Sequence, residues 1–363
     1  MKNRIKPIYV LLLFLPIAFA AELLGGNPII VFITAALAVV PLSGLLGEAT
    51  EELAARTGPK VGALLNATLG NAAELIITVL AIRAGLIDLA RASIIGSIIG
   101  NLLLVAGASM LLGGLKHGVQ RFEPRTAGLN ATMLIVVALV LAVPSFFSLA
   151  IEPNKTNVES LSLLTAVVII VIYVLSVLYT FTSSRKDVLS DPGDPLERAP
   201  AHAPTMTVRT AVILLLISTV FIAVMSEFLV GAVDPMVSQL GISELFVGII
   251  LVPIIGNIAE HVVAIEVALK NNMDLSMGIA VGSSLQVALL VAPLLVFISL
   301  LFPPNYVTLE FTTFELIALL ASCFIAASVS LDGRSNWLEG ALLIGLYIII
   351  GIAFYYLPVA GAG

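Results

Sequence analysis

Apolar segments of about 20 residues follow one another along almost the whole chain. Of the 363 residues, 60% are hydrophobic and only 11% are charged, and the mean hydropathy is +1.13. Soluble globular proteins carry roughly 25% charged residues, whereas a helix that crosses a bilayer needs about 20 apolar residues in succession. The sequence therefore predicts an all-α integral membrane protein.

Short polar, Gly-rich or Pro-rich breaks separate these segments. The first segment has the basic start and apolar middle of a signal peptide, but we expect it to be retained as a helix. The chain has one cysteine, Cys323, and three histidines, which excludes a disulfide framework and disfavours a soft-metal site. We predict about eleven transmembrane helices, at 7–24, 28–54, 60–82, 91–113, 126–148, 158–182, 207–233, 243–269, 275–301, 311–330 and 337–358.

One long polar connection divides the chain near its middle. Residues 183–206 are rich in Pro, Asp and Ser, a composition typical of a linker. Its acidic residues could sense Ca²⁺, but an unstructured linker fits their spacing better; they are Asp187, Asp191, Asp194 and Glu197. The predicted organisation is a leading helix (1–27), a first five-helix repeat (28–182), a cytoplasmic acidic linker (183–206) and a second five-helix repeat (207–363).

The basic residues predict the orientation. With the N-terminus in the cytoplasm, 14 of the 17 Lys and Arg residues face inside, leaving Arg83, Arg91 and Lys155 outside. Because cytoplasmic loops carry an excess of Lys and Arg, we expect a cytoplasmic N-terminus and an external C-terminus. The expected location is a prokaryotic plasma (inner) membrane.

The two halves of the chain repeat each other. A shift of 186 residues places "VGALLNATLGNAAELII" (61–77) on "VGIILVPIIGNIAEHVV" (247–263), and "GSIIGNLLLV" (96–105) on "GSSLQVALLV" (282–291). The third and eighth helices are five spans apart, so the copies cross the membrane in opposite directions. Inverted repeats of this kind are typical of secondary transporters.

Polar side chains recur at matching positions of these repeats. A carboxylate inside a bilayer costs several kcal/mol unless it has a partner or a water-filled cavity. Helical spacing places Gly, Asn and Glu of each copy on one face, and Pro253 predicts a broken helix beside the second copy. The candidate ion ligands are Gly70, Asn71, Glu74, Ser97, Asn101, Gly256, Asn257, Glu260, Ser283 and Gln286.

These groups suit a hard divalent cation. Ca²⁺ takes about 6–8 oxygen ligands, including carboxylates, amides and carbonyls. Without the cation, two ionised carboxylates close together in a low dielectric would repel each other, so we expect Glu74 and Glu260 to take up protons. The site would then hold either a divalent cation or about two protons.

The same motifs resemble those of a known family. "GNAAEL" and "GNIAEH", each followed one helix later by a "GS" step, are similar to the paired α-repeats of the calcium/proton antiporter (CAX) family of the cation/Ca²⁺ exchanger superfamily. The resemblance covers nearly the whole chain and implies a Na⁺/Ca²⁺ exchanger-like fold with a central Ca²⁺ site. It implies alternating access, with Ca²⁺ exported in exchange for protons, and Glu74 and Glu260 as the principal carboxylates. Sodium-coupled relatives carry Gly-Thr-Ser-type steps where this chain has Gly-Asn, which favours protons.

Other polar residues are weaker candidates. His261 could tune proton coupling, or it could be a hydrogen-bonded structural residue. Glu227 is a candidate for the ion path because of its depth in the seventh helix. Three glutamates at a helix end could gather cations or form a solvated terminus; they are Glu48, Glu51 and Glu52. Ser97 or Ser283, taken alone, would more often serve as contacts between helices.

Alternative functions remain at this point. A Na⁺-coupled Ca²⁺ exchanger is the nearest, and a channel is disfavoured by the inverted repeats. An intramembrane hydrolase is remote, because no Asp pair, Ser-His couple or H-E-x-x-H motif is present. We therefore expect no enzyme activity, no cofactor and no nucleic-acid partner. The expected partners are Ca²⁺, H⁺ and the lipid bilayer, with a homo-oligomer and Mn²⁺ transport left open.

Overall fold

The computed structural model describes residues 7–151, 157–183 and 205–357, and these are almost entirely helical. The acidic linker, including Asp187, Asp191, Asp194 and Glu197, lies almost wholly outside the described residues. A 3₁₀ segment, Pro7–Leu13, leads into the helices α1 Phe14–Leu23, α2 Pro28–Leu69, α3 Ala72–Ala84, α4 Ile87–Ile99, α5 Ala106–His117, α6 Pro124–Ala150, α7 Val158–Ser183, α8 Val208–Gly231, α9 Val233–Leu240, α10 Glu244–Phe246, α11 Val252–Leu269, α12 Met273–Gln286, α13 Ala292–Ser299, α14 Thr313–Ser330 and α15 Trp337–Tyr355. Three π-helical segments interrupt them, π1 Gly100–Val105, π2 Val247–Leu251 and π3 Val287–Val291.

The predicted membrane spans all have helical counterparts. Within the described ranges, nine helical stretches are long and apolar enough to cross a membrane, and Ile8–Leu23 is a shorter apolar helix. The remaining predicted span, 60–82, is divided between the end of α2 and α3. The all-α membrane architecture is therefore confirmed.

Helix α2 bends sharply where the sequence predicts a break. The helix is continuous through "RTGPK" at 56–60, so the predicted gap there is absent. However, a Cβ on Gly62 would lie 2.7 Å from the carbonyl oxygen of Ala54. Residues eight apart in a straight helix are separated by about 12 Å along the axis, so the chain must turn back between them.

The breaks beside the two repeat motifs differ. In the first half, Gly70 and Asn71 separate α2 from α3. In the second half, α11 runs unbroken through Gly256, and the irregular turn is π2, which ends just before Val252 and Pro253. The break expected at Pro253 is thus replaced by a wider turn ahead of it. Proline has no N–H to donate, and a π segment is a common way to accommodate an irregular helix near a functional site.

The polar connections form two separate groups at the ends of the helices. The first group includes the antiparallel pairing of strand β1 Gln120–Arg121 with β2 Arg334–Ser335. It also includes the hydrogen bond that Glu123 N donates to Asp274 Oδ1 (2.6 Å). We call this end, on which the linker also starts and stops, the linker face. The opposite end, the far face, includes the contacts Asn305 Nδ2–Ile82 O (3.0 Å) and Arg91 Nη1–Glu310 O (2.8 Å).

The centre of the fold lies between the two halves. Helices α4 and α12 pack against each other and against α11. Ser284 Oγ donates to Ile98 O at 3.4 Å, and these two residues are equivalent under the 186-residue shift. Equivalent residues meet only near a pseudo-two-fold axis, so this contact locates that axis between α4 and α12. Helices α2 and α8, the first helices of the two halves, pack extensively on each other and also contact α3.

Candidate ion-binding site

Glu74 lies in the first turn of α3, immediately after the Gly70–Asn71 break. Its side chain is buried, and its Oε1 accepts hydrogen bonds from Ser97 Oγ on α4 and Asn257 Nδ2 on α11. The donors come from both halves of the chain. A buried carboxylate is therefore held by two polar side chains rather than left in hydrocarbon.

Glu260 occupies the equivalent position on α11. Its Oε2 accepts a 2.6 Å hydrogen bond from Ser283 Oγ on α12, the counterpart of the Ser97–Glu74 bond under the same 186-residue shift. Its side chain is only partly buried. Glu74 and Glu260 are close enough to repel each other when both are charged.

Two glycines allow the two halves to approach at this point. A Cβ on Gly256 would lie 2.9 Å from Glu74 Cγ, and a Cβ on Gly70 would lie 3.4 Å from Glu260 Oε1. Each glycine thus faces the carboxylate of the other half. At Gly256 a larger residue would occupy space that Glu74 fills, whereas at Gly70 a Cβ would make an ordinary contact with Glu260 and would instead overlap Asn66 O at 2.6 Å.

The amides are arranged differently in the two halves. Asn257 bonds Glu74, whereas Asn71 Nδ2 donates to Gln286 Oε1 at 2.9 Å. Asn101 lies in π1 and is 1% exposed, and its Nδ2 has no hydrogen-bond partner among the described residues. The structure therefore brings Asn71, Asn257 and Gln286 into inter-half contacts, while Asn101 is buried nearby.

The weaker candidates lie away from these contacts or have other partners. His261 is buried, and its Nε2 has no partner in the part of the chain described. Glu227 is exposed and pairs with Arg83 Nη2 at 2.5 Å on the far face. Glu48 hydrogen-bonds Tyr9 of the leading segment, and Glu51 is exposed.

Glu52 has a structural set of partners. It pairs with Arg56 at 3.0 Å and accepts from the backbone N–H groups of Thr205 at 2.9 Å and Met206 at 3.2 Å. These bonds tie α2 to the segment that leads into α8. Glu52 therefore connects the two halves, a role that the interpretation as a solvated helix terminus does not include.

The site offers few acidic ligands. Among the residues described, no group of three or more His, Cys, Asp or Glu side chains could hold a metal ion. A divalent cation here would need the two glutamates together with amide, hydroxyl or backbone oxygens, which is a ligand set that Ca²⁺ accepts.

Sequence reasoning missed Thr78 and Gly96. The Thr78 hydroxyl donates to the backbone carbonyl of Glu74, one turn earlier in α3. A Cβ on Gly96 would come within 2.3 Å of Ile249 O in π2, so this glycine sets how closely α4 approaches the second half. Gly96 belongs to the "GS" step of the sequence motif, but the sequence does not show which backbone segment lies opposite this glycine.

Comparison with known proteins gives a consistent result. The family model described as "Sodium/calcium exchanger protein" matches residues 27–182 and 210–356. The chain is 40% identical over 375 residues to a Ca(2+)/H(+) antiporter of Aphanothece halophytica and 41% identical over 374 residues to one of Synechocystis sp., each match covering 99% of both chains. The solved structure of native YfkE is 36% identical, has a TM-score of 0.83, and is matched over 96% of this chain and 100% of its own.

Proposed function

This chain belongs to the sodium/calcium exchanger protein family, and we propose that it is a Ca²⁺/H⁺ antiporter that exports cytosolic Ca²⁺. Relatives named as Ca(2+)/H(+) antiporters align with almost its full length at about 40% identity. The observation that carries the proposal is the pair of facing glutamates, Glu74 buried and Glu260 partly buried, each bonded to the serine at the equivalent position of its own half. The protein is a multi-pass membrane transporter.

Ca²⁺ is the cargo, bound between Glu74 and Glu260. Their two negative charges match the charge of the ion, and the neighbouring amides and hydroxyls complete an oxygen shell. Asn257 now presents its Nδ2 to Glu74. An amide carries an acceptor oxygen beside its N–H₂ group, so rotation of this side chain would present Oδ1 to an incoming cation.

Protons replace Ca²⁺ when the ion leaves. Oε2 of Glu74 is buried and has no hydrogen-bond partner within the described residues, so it is the oxygen that a proton would occupy. Leaving both glutamates ionised and unpaired in this environment would cost several kcal/mol. The ion and the protons therefore compete for the same oxygens, which couples their transport in opposite directions.

The remaining functional hypotheses are less favoured. The matched relatives are named as transporters, which argues against an intramembrane hydrolase. Inverted repeats suit a carrier that rocks between two states rather than an open pore. We further propose that the linker face is cytoplasmic and that the membrane is a prokaryotic plasma membrane, as the basic residues indicate.

The direct test is transport in everted membrane vesicles. An acidic vesicle interior should drive ⁴⁵Ca²⁺ uptake, and Glu74→Gln or Glu260→Gln should abolish it. Glu159→Gln is the matched control, because Glu159 is exposed in the first turn of α7. Each variant is checked for a monodisperse elution profile in detergent.

Two results would overturn the proposal. Uptake that persists in both glutamine variants would remove the glutamates from the ion site. Uptake that stalls when Na⁺ is replaced by choline at constant pH would identify Na⁺ as the coupling ion instead.

A further inference from the structure

An ion pair on the far face joins helices α3 and α8. Arg83 is in the last turn of α3, the helix that begins beside the ion site with Glu74. Glu227 is on α8, and Arg83 Nη2 lies 2.5 Å from Glu227 Oε1. Arg83 is nine residues beyond Glu74, so the pair lies about 13 Å along the helix from the site.

Helix α8 packs on both α2 and α3, and its more extensive contact is with α2. Glu52 also ties the end of α2 to the residues before α8. Carriers built from inverted repeats work by rocking one bundle against another around a fixed site. A rocking motion that carries α8 together with α2 would separate α8 from the end of α3 and break the Arg83–Glu227 pair.

The arginine of this ion pair has no charged equivalent in the other half. The 186-residue shift that aligns α3 with α11 places Arg83 on Leu269. Leucine is uncharged, so the equivalent position at the end of α11 cannot form the same ion pair. Among the described residues, the ends of these two equivalent helices therefore differ in charge.

We propose that the Arg83–Glu227 pair is a one-sided latch that favours the state closed at the far face and open at the linker face. If the proposed function is correct, the resting transporter thereby waits for Ca²⁺ on the cytoplasmic side. The two side chains are 55% and 50% exposed, so water can replace each partner and the latch can open in every cycle. An interaction present in one state alone shifts the populations by its own free energy.

The expected shift is small but measurable. Exposed ion pairs contribute about 0.2–1 kcal/mol, and the upper part of this range, about 0.4–1 kcal/mol, corresponds to a population change of roughly two- to fivefold. Glu227→Gln and Arg83→Gln should each raise the population open at the far face by about two- to fivefold. The double charge reversal Arg83→Glu with Glu227→Arg should restore the original value.

The first measurement does not require transport. A reporter cysteine replaces Val79, which is partly buried on α3 one turn inside Arg83, in a Cys323→Ala background. A membrane-impermeant thiol reagent added at the far face should label it two- to fivefold faster in Glu227→Gln than in the parent. The rate should return to the parent value in the charge-reversed protein.

The second measurement uses the activity. In proteoliposomes, Glu227→Gln should strengthen the apparent Ca²⁺ affinity at the far face by the factor by which the far-open population rises. It should weaken the apparent affinity at the linker face by the smaller factor by which the linker-open population falls. Unchanged labelling in both single variants would overturn the latch, as would failure of the charge reversal to restore it. If the labelling rates change as expected but the protein does not exchange Ca²⁺ for H⁺, the latch is supported and only the proposed function is rejected.

Discussion

The two halves carry almost the same polar motif, but the structure uses it differently in each. Glu74 is buried and accepts from Ser97 and Asn257, whereas Glu260 is partly buried and accepts from Ser283. A carrier open to one side cannot have two equivalent halves, because one gate is closed while the other is open. Equivalent sequence positions therefore have different hydrogen-bond partners and different burial in the two halves.

The largest expected difference concerns the paired glycines Gly96 and Gly282. A Cβ at Gly96 would overlap the backbone of Ile249, whereas a Cβ at Gly282 would meet no atom within 4 Å. Gly96→Ala should destabilise the protein by about 1–3 kcal/mol or more because of overpacking. Gly282→Ala should be neutral or slightly stabilising, since Ala favours helix over Gly by roughly 1 kcal/mol.

Thermal unfolding in detergent, followed by size-exclusion chromatography, measures this difference directly. Gly278→Ala on the same helix serves as a second control, because a Cβ there also meets nothing within 4 Å. Equal thermal stability of the Gly96 and Gly282 variants would show that the close contact of α4 with π2 is not required.

The next difference concerns the two asparagines. Asn257→Ala removes a donor to Glu74, whereas Asn71→Ala removes the bond to Gln286 and leaves both glutamates with their serine donors. A hydrogen bond to a charged group contributes about 1.5–3 kcal/mol. We therefore expect Asn257→Ala to raise the half-saturating Ca²⁺ concentration at least about tenfold, and Asn71→Ala to raise it less. If Asn71→Ala raised the half-saturating Ca²⁺ concentration more than Asn257→Ala, Asn71 and not Asn257 would be the more important amide for Ca²⁺ binding.

A smaller difference separates the two serines. Ser97→Ala leaves Glu74 with its bond from Asn257, whereas Ser283→Ala removes the side-chain donor that the structure gives Glu260. The Ser283 variant should therefore lose several-fold more apparent Ca²⁺ affinity than the Ser97 variant. Ca²⁺-dependent uptake rates at constant pH measure both, and threonine at either position should preserve affinity because it keeps the hydroxyl.

The smallest effect is expected where the halves differ in residue type. His261 is equivalent to Leu75, and its buried Nε2 has no partner in the described ranges. His261→Leu should keep the exchange rate and its pH dependence close to those of the parent, because Nε2 makes no hydrogen bond within the described residues through which it could pass a proton. A displaced pH profile would instead support the predicted role of His261 in proton coupling.

Much of the fold was predictable because the bilayer restricts the choices. A chain in hydrocarbon must satisfy its backbone hydrogen bonds within each segment, so apolar runs of the right length predict helices at the right positions. The sequence predicted a gap between two helices at "RTGPK", whereas the structure has a bend within α2 at this place. The division of the third span at Gly70 was not predicted either, because glycine is compatible with both a helix and a break.

The site was predictable in its centre and less so at its edges. Glu74 and Glu260 were selected because a carboxylate in an apolar segment is costly and occurs at equivalent positions, and the structure places them close together across the two halves; their role as ion ligands stays a prediction. Glu227 was chosen for the same reason, but depth in a helix does not reveal a nearby Arg83 from another helix. Thr78 was missed because a hydroxyl bonded to its own helix has no sequence signature.

The sequence by itself determined the membrane location, the inverted duplication and the two acidic positions. These follow from one-dimensional properties, namely hydropathy, spacing and repetition, which the solvent and helix geometry translate directly into structure. The tertiary structure decided which amide faces which glutamate, which glycines carry a close contact, and which gate has an ion pair. Those features depend on how helices distant in sequence pack together, and two nearly identical motifs can have different neighbours in the two halves of one structure.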